Sequence, residues 1–209
     1  MDGEISLGFR RLSIIDLEGG RQPILNEDKS KVLMFNGEIY NYQSLREDLL
    51  KAGHVFTTKT DSEVLLHGFE EYGTDLLNKL RGMFAFAIWD RDSRELFCAR
   101  DFFGIKPFYY TQQNGRFIFA SEIKCILEHP DYTRELNHEA LEQYLCFQFS
   151  ALPETFFKGI FKLAPAHCMT VHADGSLKTR RYWRPTYAFD ENRSREDTVK
   201  AIDAAMRES

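Results

Sequence analysis

The 209-residue sequence has only four cysteines, Cys98, Cys125, Cys146 and Cys168, and no C-x-x-C pair. That spacing does not build a disulfide framework and fits free thiols in a reducing cytosol. No apolar stretch approaches the roughly 18 residues of a membrane span. No charged-then-apolar leader opens the chain. No cluster of Lys and Arg forms a basic face. Neither membrane nor nucleic acid is therefore expected as a partner, the expected location is cytoplasmic, and no metal site is expected. Internal repeats and low-complexity segments are also lacking. What is present is a net charge of -5, 43% hydrophobic and 14% aromatic residues. That is enough for one sizeable core, or one domain plus a tail.

The organising stretch is KVLMFNGEIYN, residues 31–41. Its unbroken apolar run, Val32 to Phe35, predicts a strand buried on both faces. Asn36-Gly37 then predicts a sharp turn, and Asn41 a helix cap. Two readings of Asn36-Gly37 stay open here. One is a hairpin turn, for which Asn-Gly is a strong short signal. The other is an oxyanion hole, built from an Asn amide and a Gly main-chain N–H.

Before this stretch, Ile5, Leu7 and Phe9 alternate with polar or small residues. Continued, the alternation puts Arg11 on the apolar face, where its charge needs a partner; otherwise the strand ends and Arg11 is a surface residue. Residues 16–23, DLEGGRQP, are turn chemistry. Tyr42, Leu45, Leu49 and Ala52 share one helical face, stopped by Gly53. Thr60-Asp61-Ser62-Glu63 predicts a capping box ahead of a helix with Val64, Leu65, Gly68, Phe69 and Tyr72 inward. Read alone, Asp61 is a first-turn acid that favours the helix dipole. MFAFAIW (83–89) is a second buried strand, and residues 95–99 pair with it. RDFFGIKPFYY (100–110) turns back into a strand, followed by another at 117–120. Short helices are expected at 122–128 and after Asn137. A hairpin is expected around Ala173-Asp174-Gly175-Ser176, and a last helix after Ser194. Short links between strands imply antiparallel sheets, and strands without alternation must be covered on both sides. The expected fold is α+β, a four-layer αββα sandwich, with a boundary near residues 185–193.

Arg11, Asn36, Gly37, Glu38 and Asp61 suit one small ligand. Arg11 would pair with an α-carboxylate, Asp61 and Glu38 would hold an α-ammonium, and Asn36 and Gly37 would face a side-chain carbonyl.

RRLSIID (10–16), FNGEIYNY (35–42), TDSEVLLHGFEEYG (60–73), LRGMFAFAIWD (80–90), ARDFFGIKPFYY (99–110) and FASEIK (119–124) resemble class II glutamine amidotransferases. PETFFKGIFKLAPAH (153–167) and RYW (181–183) narrow the resemblance to the asparagine synthetase type. The resemblance implies an N-terminal-nucleophile (Ntn) sandwich that hydrolyses glutamine. Ammonia then passes to a synthetase domain that amidates aspartate with ATP and magnesium. It further implies glutamine binding by Arg11, by main-chain groups of Leu12, Ser13, Ile14 and Ile15, and by Glu38 and Asp61. Asn36 and Gly37 become the oxyanion hole.

The departures are as specific. The family starts Met-Cys-Gly and uses that cysteine, with its own α-amino group as base. Here residue 2 is Asp2. The family's Arg-Gly-Pro-Asp segment and its Ser-Gly-Gly-x-Asp-Ser pyrophosphate loop do not appear. Phe9, Phe102 and Ala166 replace a usual His, Arg and Gly. The expectation is an amidotransferase domain over residues 1–185 without its first strand and helix, then a linker and helix start over 186–209. Such a chain is expected to be inactive alone, and a homodimer through its uncovered edge is a further expectation. The alternative is a glutamine-binding remnant or interaction domain without catalysis.

Overall fold

The computed structural model describes residues 5–10, 22–188, 190 and 192–208. Arg11, Leu12, Ser13, Ile14 and Ile15 lie outside the described residues. The order is β1 (Ile24–Leu25), β2 (Lys31–Ile39), α1 (Tyr42–Ala52), α2 (Ser62–Tyr72), a 3-10 turn (Gly73–Asn78), β3 (Gly82–Asp90), β4 (Glu95–Arg100), β5 (Tyr109–Gln113) and β6 (Arg116–Ala120). It continues with α3 (Ile123–Leu127), α4 (His138–Phe147), β7 (Phe161–Lys162), β8 (His167–Val171), β9 (Leu177–Arg181) and α5 (Arg195–Glu208). One antiparallel sheet runs β1-β2-β3-β4-β8-β9, and a second runs β6-β5-β7.

Three apolar clusters set the layers. Leu33, Phe35 and Ile39 of β2 pack with Leu45 and Leu49 of α1 and Val64, Leu65 and Leu66 of α2. The opposite face of the same sheet, through Val32, Ala85, Ala87, Trp89, Cys98 and Met169, meets Phe108, Tyr110, Phe117 and Phe119 at the small sheet. Beyond that sheet, Ile118 and Ala120 pack with Ile123 and Ile126 of α3. Helices, sheet, sheet and helix are thus stacked in four layers, because both central strands are apolar on both faces. Ile5 and Leu7 pack into the middle layer while Ser6 and Gly8 are exposed, so the early alternation holds in burial through Gly8 and breaks at Phe9, which is exposed.

Most ends follow their local signals. Gly53 closes α1 in the left-handed region, at φ 103°. Asn137 accepts a hydrogen bond from the Ala140 N–H, and Ser194 from the Asp197 N–H. Three expectations need correction. Asn36-Gly37 is not a turn: β2 continues through it, paired with β3 without a break from Lys31–Asp90 to Ile39–Gly82. Asn41 does not cap α1 with its side chain; its amide bridges Lys79 O and the Arg81 N–H, 2.9 and 2.8 Å away. The capping box does not form either. Asp61 holds the N-cap position without a side-chain cap bond, and Glu63 turns to Thr57 and Thr58 instead. Ala166, where the resemblance expects Gly, has φ 57°, a conformation costly for a residue with a Cβ.

Candidate active site

Along β2, Phe35 and Ile39 face the helix layer. Side chains alternate along a strand, so Asn36 and Glu38 face the other way, with Val32, towards the layer between the sheets. Ala85, opposite Asn36, belongs to that layer too. The apolar face of the strand therefore ends in an amide and a carboxylate. Gly37 lies between them with φ 155°, and a Cβ there would stand 2.1 Å from Met83 O and 2.8 Å from Phe84 Cα. Gly82 is its counterpart across the pair: φ is 157°, and a Cβ would stand 2.2 Å from Glu38 O. Only glycine fits at either position, and the close approach brings two backbones together at the site.

Asp61 arrives from the start of α2. It is buried, and its Oδ2 accepts the Ile39 N–H at 2.9 Å. Burial raises its carboxyl above the usual range; the Ile39 bond opposes this, and the Glu38 charge adds to it. Asn36, Gly37, Glu38 and Asp61 are thus brought together around the last residues of β2. A carboxylate pair beside an amide and a main-chain N–H offers an ammonium site next to a carbonyl site.

A support that sequence reasoning missed is Asp101, buried at the end of β4. Its Oδ1 accepts the Phe103 and Ile105 N–H groups, and its Oδ2 the Lys106 N–H, at 2.9–3.1 Å. The Asp101 N–H donates at 2.8 Å to the carbonyl of Phe84, the residue paired with Gly37 across the strands. Arg100 completes the loop, donating to Lys106 O, Leu163 O and Gly104 O at 2.6–2.7 Å. The Arg-Asp pair ahead of the FFG turn was the available signal.

None of the four cysteines is placed to attack a carbonyl there. Cys98 and Cys168 are buried within the large sheet, and burial pushes the Cys98 thiol far up. Cys125 and Cys146 are exposed on the outer helices α3 and α4.

The sequence profile of the glutamine amidotransferase domain matches residues 1–183. The chain belongs to the glutamine amidotransferase domain family. Within it, this amidotransferase domain is of class II. It is 44% identical over 186 residues to asparagine synthetase [glutamine-hydrolyzing] 1 of Bacillus subtilis, which covers 89% of this chain and 29% of that protein. It is 40% identical over 214 residues to a putative asparagine synthetase [glutamine-hydrolyzing] of Mycobacterium bovis, covering 96% and 33%. The chain therefore spans about a third of the length of these curated relatives. Among solved structures, the allosteric regulatory enzyme of purine biosynthesis superposes with a TM-score of 0.56, at 20% identity, over 80% of this chain and 32% of its own. Glutamine phosphoribosylpyrophosphate amidotransferase of B. subtilis gives 0.54 and 20%, over 78% and 32%. These two establish the fold, the Ntn-type sandwich of antiparallel sheets.

Proposed function

We propose that this domain is the glutaminase of a glutamine-dependent asparagine synthetase. It binds glutamine and, given an N-terminal cysteine, hydrolyses it to glutamate and ammonia. A synthetase domain of the same protein then uses the ammonia to amidate aspartate with ATP and magnesium. The observation that carries the reading is the convergence of Asn36, Gly37, Glu38 and Asp61 at the end of one buried strand. Glu38 and Asp61 take the α-ammonium, and Arg11 takes the α-carboxylate through its fork of donors. The Asn36 amide and the Gly37 N–H stabilise the oxyanion that forms when the thiolate adds to the side-chain amide.

The cysteines favour a second statement: the 209-residue chain by itself binds glutamine without turning it over. Two of its thiols are buried in the sheet and two lie on outer helices. Joining a Met-Cys-Gly start and the following segment from an intact relative supplies the nucleophile, and glutamine is then titrated by calorimetry. Arg11→Ala is expected to weaken binding by about 1.5–3 kcal/mol, the range for hydrogen bonds to charged groups. That is roughly a tenfold to hundredfold loss. Arg11→Lys is expected not to restore it. Equal binding by Arg11→Ala and its parent would remove Arg11 from the site.

A further inference from the structure

At the other end of α2 from Asp61, three chain segments converge. Glu27 follows β1, His54 follows α1, and His67 and Glu70 lie on α2. One nitrogen or carboxylate oxygen from each lies within 4.8 Å of those of the other three. His67 Nδ1 is 3.1 Å from Glu70 Oε2 and 3.6 Å from Glu27 Oε2. His54 Nδ1 is 4.0 Å from the same Glu70 oxygen. Neighbouring ligand atoms around a tetrahedral zinc ion stand about 3.3 Å apart, given bonds of about 2.0–2.1 Å. The three distances bracket that value.

The second feature is what holds the far side of each group. Glu70 Oε1 accepts from Asn26 Nδ2 at 2.6 Å, and Glu27 Oε1 accepts the Val55 N–H at 3.1 Å. His54 Nε2 faces Glu71 Oε2 at 3.3 Å. His67 Nε2 faces Glu63 Oε1 at 3.5 Å, without hydrogen-bond alignment. Each of the four is thus turned to offer one atom inward while its other atom meets an outer partner. A carboxylate behind a coordinating imidazole is the usual outer partner at metal sites. Glu63 itself is fixed by Thr57 and Thr58.

We propose that Glu27, His54, His67 and Glu70 bind a divalent transition-metal ion, with zinc the best match to two imidazole nitrogens and two carboxylate oxygens. The ion would balance the excess of carboxylates there. It would tie the β1–β2 link and the α1–α2 link to α2, the helix that presents Asp61. His67 is buried, whereas the Glu27 side chain is 41% exposed, so an ion can reach the cluster.

The test uses the tag-free 209-residue chain, stripped of metal with a chelator and titrated with Co2+ and then Zn2+. The expected result is one Co2+ per chain, with a visible absorption band that stoichiometric Zn2+ removes. Zinc should also raise the melting temperature, and chelator should reverse the rise. If the stripped chain is unfolded, stoichiometric zinc should refold it. His54→Gln and Glu27→Gln, at partly exposed positions, are expected to lower zinc affinity at least tenfold. Glu71→Gln, behind His54, should cost about tenfold. No uptake at micromolar zinc would overturn the proposal. So would uptake that survives His54→Gln and Glu27→Gln combined. The cluster would then be an ion-pair network around a protonated His67.

Discussion

Asp61 and Glu63 stand two residues apart at the start of α2, and both are buried. Burial alone pushes both carboxyls up, yet they end on opposite sides of the ordinary range. At Glu63 burial is outweighed by the His67 imidazole and by N–H and hydroxyl donors of Thr57 and Thr58, which hold it at about 2. Those four Thr donors lie 2.7–2.9 Å from its oxygens. At Asp61 burial wins: the Ile39 N–H is its main donor, and the Glu38 charge works against ionisation. A carboxylate saturated by its own protein serves the scaffold. One left short of donors beside a second carboxylate is poised for a cation brought from outside, which in the proposed function is an α-ammonium.

The strongest test of that division lies at Asn36, on the Asp61 side. In a chain carrying the Met-Cys-Gly start, Asn36→Ala is expected to lower glutamine turnover about 10²–10³-fold, with the melting temperature unchanged. A matching loss of stability would move Asn36 to the scaffold. On the other side, Glu63→Ala strands the donors of Thr57 and Thr58 and is expected to cost about 3 kcal/mol in urea unfolding. A loss below about 1 kcal/mol would mean that water replaces the carboxylate there. The smallest effect is expected at Asp61→Asn, which keeps an acceptor for the Ile39 N–H. A carboxyl raised in the folded state contributes stability that is full below its unfolded value, near 3.8, and lost as pH rises through the folded one. Ionised Asp61 thus costs stability at neutral pH. Asp61→Asn should equal or exceed the parent in stability at pH 7, with the difference vanishing as pH falls below the unfolded value, while glutamine affinity falls. Lower stability than the parent at pH 7 would break the contrast.

The strands were legible because their apolar runs are continuous, as in residues 32–35 and 83–89, and the sandwich follows from the need to cover both faces. The caps at Asn137 and Ser194 were legible because each side chain bonds the nearest free N–H of its own helix. Asn36-Gly37 misled because a turn and a close strand crossing both demand glycine; Gly82, 45 positions on and paired near it, is what separates them. Thr60 and Glu63 match a capping box by spacing, but Thr57 and Thr58 offer Glu63 more donors. The Glu27, His54, His67 and Glu70 cluster draws on three segments, so no short spacing announces it. Leu12 to Ile15 rest on the resemblance alone and Arg11 on the strand alternation and the resemblance, and all five lie outside the described residues.

The crossing of β2 and β3 bears on how mutational tolerance should be interpreted. In a saturation library, Gly37 will reject nearly every substitution, and the natural inference is loss of an oxyanion donor. Yet every residue but proline keeps that N–H; what it adds is a Cβ 2.1 Å from Met83 O. Gly82 suffers the same collision with Glu38 O at 2.2 Å and supplies no donor to the proposed oxyanion hole. Intolerance at Gly82 therefore measures the steric part of the phenotype at Gly37, and only the excess at Gly37 reports on catalysis.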